Sequence, residues 1–204
     1  MPVSPEIRIL REDDPEHDAL LDRGWRVVAT SWGARLSLTD DADPAPLRRR
    51  VEEAEALGYR VLELGAQEAG EAVALDAACA EDYPWTPATG HQDLDPEELA
   101  RALAGRAARA FGARGPDGAL VALTILEPLE DRWEVDRTCV AGAHRRRGLA
   151  VAVKAASILA TFAQGARRWG TGGAAVNRGS LAANRALGFE LEPLWHSLEA
   201  PRRA

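Results

Sequence analysis

The sequence has little of what staples a small or secreted fold. It holds two cysteines, Cys79 and Cys139, far apart in the chain, and no secretory signal precedes them. That excludes a disulfide framework and leads us to expect a reduced, cytoplasmic protein with free thiols. Its four histidines, His17, His91, His144 and His196, lack ligand spacing, so no metal site is expected. No apolar run is long enough to span a bilayer, which argues against a membrane partner. Positive charge is in deficit: 25 Lys and Arg against 32 Asp and Glu leave a net charge of −7, which argues against nucleic-acid binding. Tyrosine is confined to Tyr59 and Tyr83, so few phenols are on hand to donate a proton. What remains is a 204-residue chain long enough to bury a proper core, as one domain with an appendage or two small ones.

One stretch organises the rest: Val140-Ala-Gly-Ala-His-Arg-Arg-Arg-Gly-Leu-Ala150. Upstream, Arg132 to Val140 has the period-2 pattern of a strand, with Trp133, Val135 and Cys139 on one face and Glu134, Asp136 and Thr138 on the other. Downstream, Gly148 to Gln164 is apolar nearly all round, with a narrow polar stripe at Lys154, Ser157, Thr161 and Gln164. Such a helix is buried over most of its surface, and Gly165 is placed to end it. The turn between them opens onto a helix N-terminus, where free N–H groups and the positive dipole end favour an anion, above all a pyrophosphate. Gly148 and Ala150 leave room for a phosphate to approach, and the arginines add charge.

Arg145-Arg146-Arg147-Gly148-Leu149-Ala150 resembles the acyl-CoA-binding motif of the GNAT N-acetyltransferase superfamily, Arg/Gln-x-x-Gly-x-Gly/Ala. A second match follows. Thr171-Gly-Gly-Ala-Ala-Val-Asn177, then Leu181-Ala-Ala-Asn-Arg-Ala-Leu-Gly-Phe189, is similar to the superfamily's next strand and helix, ending in its Leu-Gly-Phe. The other reading of the arginine run, a solvated basic turn or nucleic-acid patch, finds nothing basic around it. The resemblance covers residues 58 to 199. It implies the GNAT acyl-CoA N-acyltransferase fold, a mixed α/β class with a central mixed sheet and helices on both faces, plus an N-terminal β/α extension.

Residues 58–204 would then be the GNAT acetyltransferase domain and 1–57 the extension. In the extension, Glu6 to Leu10 reads as a short strand, Asp14 to Leu21 as a helix, and Gly24 to Leu38 as strand. The last of these echoes Gly188 to Leu198, as expected either of a remnant of a preceding GNAT domain or of a chance likeness between strand-rich stretches. Its Trp25, Val27, Trp32, Leu36 and Leu38 need a sheet edge or a partner subunit to cover them, so a homodimer stays open. After a Pro-bearing linker at Asp40 to Pro46, a charged helix runs to Leu57. The domain proper then reads as strand Tyr59–Leu64, helix Glu68–Cys79, a turn-rich connection Glu81–His91, a helix capped by Asp95, and a hairpin around Gly115-Pro-Asp-Gly118. The strand and helix already described follow, then a short strand Arg167–Thr171. A helix capped by Asn177 and a last strand Leu194–Glu199 complete it. Tyr83 and Trp85 in the connection either border an acceptor pocket or merely pack the loop onto the body.

The resemblance implies acetyl transfer from acetyl-CoA, as co-substrate, to a primary amine of a small molecule. The amine needs a base, the oxyanion a backbone N–H, and the leaving thiolate a proton. By resemblance, Thr138, Cys139 and Val140 hold the pantetheine arm. Residues Arg145, Arg146, Arg147, Gly148, Leu149 and Ala150 hold the pyrophosphate, with Asn177 and Asn184 also on the cofactor. Glu134 is the expected base, on the face of Val140, with Asp136 one step nearer; the alternative is that both are solvated or salt-bridged to Arg132 or Arg137. The tyrosine acid of many members is replaced here by Asn184, which leaves Tyr83 or solvent as donor, and Thr171-Gly172-Gly173 departs from the superfamily's Thr-x-Asn. A non-catalytic acyl-CoA-binding module is therefore the alternative reading. Glu81, Asp82, Asp93, Glu127, Glu130 and Asp131 make an acidic mouth for a cationic acceptor, or are simply the acids that surround any opening in an acidic protein.

Overall fold

Side-chain caps decide where several helices begin. In the computed structural model, which describes residues 5–201, Asp14 caps α1 (Pro15–Asp22) by accepting from the Glu16 N–H. Asp95 caps α4 (Pro96–Ala104) with two such bonds, and Asn177 caps α6 (Arg178–Ala186) by accepting from Ser180. The other helices are α2 (Ala45–Ala56), α3 (Ala69–Ala78) and α5 (Leu149–Phe162). Residues 1–4 of the expected extension and 202–204 of the expected domain lie outside the described residues.

The strands are β1 (Ile7–Arg11), β2 (Arg26–Ser37), β3 (Arg60–Leu64), β4 (Arg109–Arg114), β5 (Leu120–Pro128), β6 (Trp133–Val140), β7 (Arg168–Ala174), β8 (Glu190–Leu191) and β9 (Trp195–Glu199). Among the described residues they form one sheet in the order β1-β9-β2-β7-β6-β5-β4-β3, with β8 also on β2. The fold class is therefore mixed α/β, as expected. Leu75 and Leu99 from α3 and α4 pack on one face with Leu123 and Ile125 of β5. Ala155 and Ile158 of α5 and Leu47 of α2 pack on the other with Trp32, Leu36 and Trp169.

Strand β2 comes from the N-terminal extension yet lies inside the sheet, antiparallel to β7 on one edge and to β9 on the other. Trp32 and Leu36 are covered there, while Val27 and Val28 stay exposed. Trp32 also explains the departure at Thr171-Gly172-Gly173. It is the register partner of Gly173, and a Cβ at Gly173 would lie 2.9 Å from its ring. No larger side chain fits under that indole without displacing it.

The two-face reading of β6 needs correction. Its register against β5 shifts between Ile125, opposite Arg137, and Leu126, opposite Val135, which leaves Asp136 as an extra residue. Such a bulge reverses the alternation downstream. Trp133 and Val135 accordingly pack towards Ala156 and Ala160 of α5, but Cys139 packs on the opposite face with α3. Thr138 bonds Thr124, and Val140 packs beside Leu149 and Ala152 of α5. Glu134 therefore shares its face with Arg137 and Cys139, not with Val140.

Candidate active site

Strands β6 and β7 are the parallel neighbours in the sheet, and they stay paired only from Trp133–Val135 opposite Trp169–Thr171. Beyond that point they part. Strand β7 continues along β2, while β6 bulges at Asp136 and turns towards α5. The parting leaves a gap with a cavity on each side. The first, about 490 Å³, is walled by Glu134, Asp136, Arg137, His91 and the Thr171–Ala174 backbone. The second, about 770 Å³, is walled by Cys139, Val140, Arg145, Arg146 and the first turn of α5. Tyr83, Thr138, Lys154, Asn177 and Ser180 line both, so the cavities meet at these five side chains.

On the second side the turn into α5 has the geometry an anion needs. Gly148 has a left-handed φ of 78° and Arg146 one of 64°. A Cβ at Gly148 would touch nothing within 4 Å, so the space beside the helix start is open. The first-turn N–H groups of α5 have no intrahelical acceptor. The three arginines are not equivalent. Arg145 forms a forked pair with Asp82 and donates to the Val140 carbonyl. Arg147 donates to the Tyr59 hydroxyl, which also bonds His144. Arg146 has no side-chain hydrogen bond or ion pair among the described residues, and it lines the cavity.

On the first side Glu134 lines the cavity, with its Oε2 held by Arg132 at 2.7 Å and approached by Arg35 of β2 at 3.6 Å. Both arginines use the same oxygen, leaving Oε1 without a hydrogen-bond partner among the described residues. Gly170 permits this arrangement, since a side chain there would overlap the carboxylate and Arg35. Asp136 also lines the cavity and pairs with Arg137. Glu127 lies opposite Glu134 in the β5–β6 register; partial burial, then the Asp136 charge, holds its carboxyl above the usual range.

Beneath this wall is a network whose acidic centre the sequence did not single out. Asp76 of α3 is almost fully buried and accepts from Tyr83 at 2.9 Å and from Arg137 at 2.7 Å. His91 stacks on Tyr83 with ring centroids 4.3 Å apart and points Nε2 at Asp76 from 3.4 Å. Tyr83 thus borders the cavities, and its proton faces Asp76 rather than the gap. Burial first, then the neighbouring Cys139 and Asp76, pushes the phenol well above its ordinary pKa. Burial likewise raises the Cys139 thiol. Trp85, the other aromatic of the connection, is exposed.

The polar stripe of α5 points inward. Ser157 and Thr161 bond back to backbone carbonyls, and Thr161 accepts from the Trp169 indole. Lys154, almost fully buried, donates to Asn184 Oδ1 at 2.6 Å and to Thr171 Oγ1 at 3.3 Å. Burial lowers its pKa to about 7, against an opposing pull from the Glu134 charge. Asn184 is held by its own amide donating to the Ser180 carbonyl, which turns its oxygen towards the lysine.

No family model and no curated protein matches the sequence. Solved structures do. A GNAT-family protein from Novosphingobium aromaticivorans superposes with a TM-score of 0.57 at 20% identity, covering 98% of this chain and 77% of that one. A tandem GNAT protein from the clavulanic acid biosynthesis pathway gives 0.60 at 21% identity, over 98% of this chain but only 64% of its own. A GCN5-related N-acetyltransferase from Kribbella flavida gives 0.60 at 20% identity, over 97% and 68%. The chain thus has the GNAT acetyltransferase fold, and it spans less than two thirds of the tandem protein's length. Among the described residues no helix is long and apolar enough to cross a membrane, and no cluster of His, Cys, Asp and Glu is fit to hold a metal.

Proposed function

We propose that the chain is a GNAT N-acetyltransferase that moves the acetyl group of acetyl-CoA to a primary amine of a small molecule. The observation that carries this reading is the gap between β6 and β7, where a cavity ending at a helix N-terminus meets a cavity lined with carboxylates. The first turn of α5 and Arg146 would take the pyrophosphate, and the cavity wall at Thr138 to Val140 would take the pantetheine arm. The thioester would then lie at the gap, within reach of an amine entering beside Glu134 and Asp136. Glu134 takes up the acceptor's proton through its free Oε1, and Asp136 is the nearest substitute.

The extension belongs to the same working unit, because β2 supplies both Arg35 to Glu134 and Trp32 to the β7 wall. A non-catalytic acyl-CoA-binding module has one observation in its favour, the arginine pairing that draws on Glu134. An assay of amine-dependent CoA release over polyamines, aminoglycosides and amino-acid amides separates the two. A binding module would hold CoA and never turn over.

A further inference from the structure

The chain has 24 arginines and one lysine, and that lysine, Lys154, is buried at the junction of the two cavities. An arginine does not give up its proton, whereas a lysine can. Burying an ammonium is costly unless a carboxylate balances it, and none does. Its hydrogen-bond partners are the neutral oxygens of Asn184 and Thr171, with the Phe189 ring centroid 5.9 Å from Nζ, so two of its three N–H groups are engaged while the residue lines both cavities.

Building on the acetyl-transfer reading, we infer that Lys154 is the proton donor to the departing CoA thiolate. When the amine nitrogen bonds to the acetyl carbon, the C–S bond breaks and the electron pair goes to sulfur. Sulfur takes a proton from Lys154 Nζ, which is left as a neutral amine on Asn184 and Thr171. It is recharged from solvent, while the acceptor's protons leave through the carboxylate side, so each turnover releases one net proton. The other candidates are poorly placed for this step. The Tyr83 hydroxyl is committed to Asp76, and Asn184 presents its oxygen, not its N–H groups. A buried lysine that ionises near neutrality loses its proton readily and regains it between turnovers, as a recycling acid must.

The charges around Lys154 leave it this role. On β6, Glu134 and Asp136 are paired with Arg132 and Arg137. In the connection, His91 and Tyr83 turn to Asp76. On the cofactor side Asp82 is taken by Arg145, His144 by Tyr59, and Arg146 and Arg178 line the cavity from its outer wall. Cys139 is held as a neutral thiol by burial.

A single lysine makes the test direct, because ¹⁵N-lysine labelling gives one side-chain signal. CoA should shift that signal, and desulfo-CoA, which lacks the sulfur, should shift it much less. Bound CoA should also ionise at lower pH on the wild type than on Lys154→Met, read as thiolate ultraviolet absorbance. Lys154→Met removes a buried charge and is expected to fold; Lys154→Arg keeps the charge without a transferable proton. With any amine that supports turnover, both variants should lose roughly a hundredfold in kcat at little change in acetyl-CoA KM. Equal shifts with CoA and desulfo-CoA, the same thiol titration on wild type and Lys154→Met, or undiminished kcat in Lys154→Met each overturn the inference. Failure of CoA to bind the wild type overturns the acetyl-transfer reading itself, and this inference with it.

Discussion

The indole of Trp32 lies so close to Gly173 that a Cβ at residue 173 would sit 2.9 Å from its Cζ2 atom. The contact links a strand of the N-terminal extension to the β7 wall of the gap. Gly173→Asn, which restores the superfamily's Thr-x-Asn pattern, should therefore destabilise the protein, by about 1–3 kcal/mol of overpacking. Urea unfolding checks this. The combination with Trp32→Ala should cost less than the sum of the two single changes, since losing the indole removes the clash and the Asn side chain fills part of the space it leaves.

Strand β2 pairs with β7, β8 and β9, and Trp32 is almost fully buried. Removing residues 1 to 45 should leave β7 with an open edge and uncover the apolar face of α5. The expected result is loss of soluble, cooperatively folding protein, and a truncated chain as stable as the parent would refute it. Trp32→Ala alone should cost about 3–5 kcal/mol.

The order of elements was legible because most boundaries carry local chemistry: Asp95 and Asn177 as caps, the turn at Gly115 to Gly118, and the apolar run of α5. The motif Arg145 to Ala150 falls where expected, running from the turn after β6 into the first turn of α5. The bulge at Asp136 was not legible, because one inserted residue leaves no mark on an alternating pattern until a partner strand fixes the register. The place of β2 was hidden for the same reason: pairing is a long-range choice. Nothing in the sequence sets Asp76 apart from the chain's other acids, and only the fold brings Tyr83, Arg137 and His91 to it. Lys154 read as part of a polar stripe, because periodicity shows which face a residue occupies and not what covers that face.

Lys154 should also govern stability against pH. Its pKa is lowered to about 7 in the folded protein from 10.5 in the unfolded chain, so between these values the unfolded state binds more protons. The penalty of burying the ammonium is fully present below about 7 and falls as pH rises towards 10.5. Stability should therefore gain up to about 1.4 kcal/mol per pH unit across that window from this group. Lys154→Met should remove the slope and be the more stable protein at neutral pH. Equal slopes in the two proteins would show that the lysine stays charged or solvated.

Glu134→Gln keeps the shape of the side chain and removes its basicity. With a working acceptor, it should lower kcat by roughly a hundredfold while leaving the acetyl-CoA KM nearly unchanged. Asp136→Asn serves as the comparison, and a larger loss there would transfer the role. Full activity in both single variants and the double would leave water and the acceptor's own free-base fraction to supply the reactive amine.

The most direct test of acetyl-CoA use is the melting temperature with and without millimolar acetyl-CoA, for the wild type and Gly148→Phe. A Cβ at Gly148 meets nothing within 4 Å, so the variant should fold despite the strain of a φ of 78°. Its ring would fill the space beside the α5 N-terminus. The wild type should gain about 2.7 kcal/mol when the ligand stands at a hundred times its Kd. The variant should gain nothing. A wild type that melts at the same temperature with and without acetyl-CoA would contradict the account.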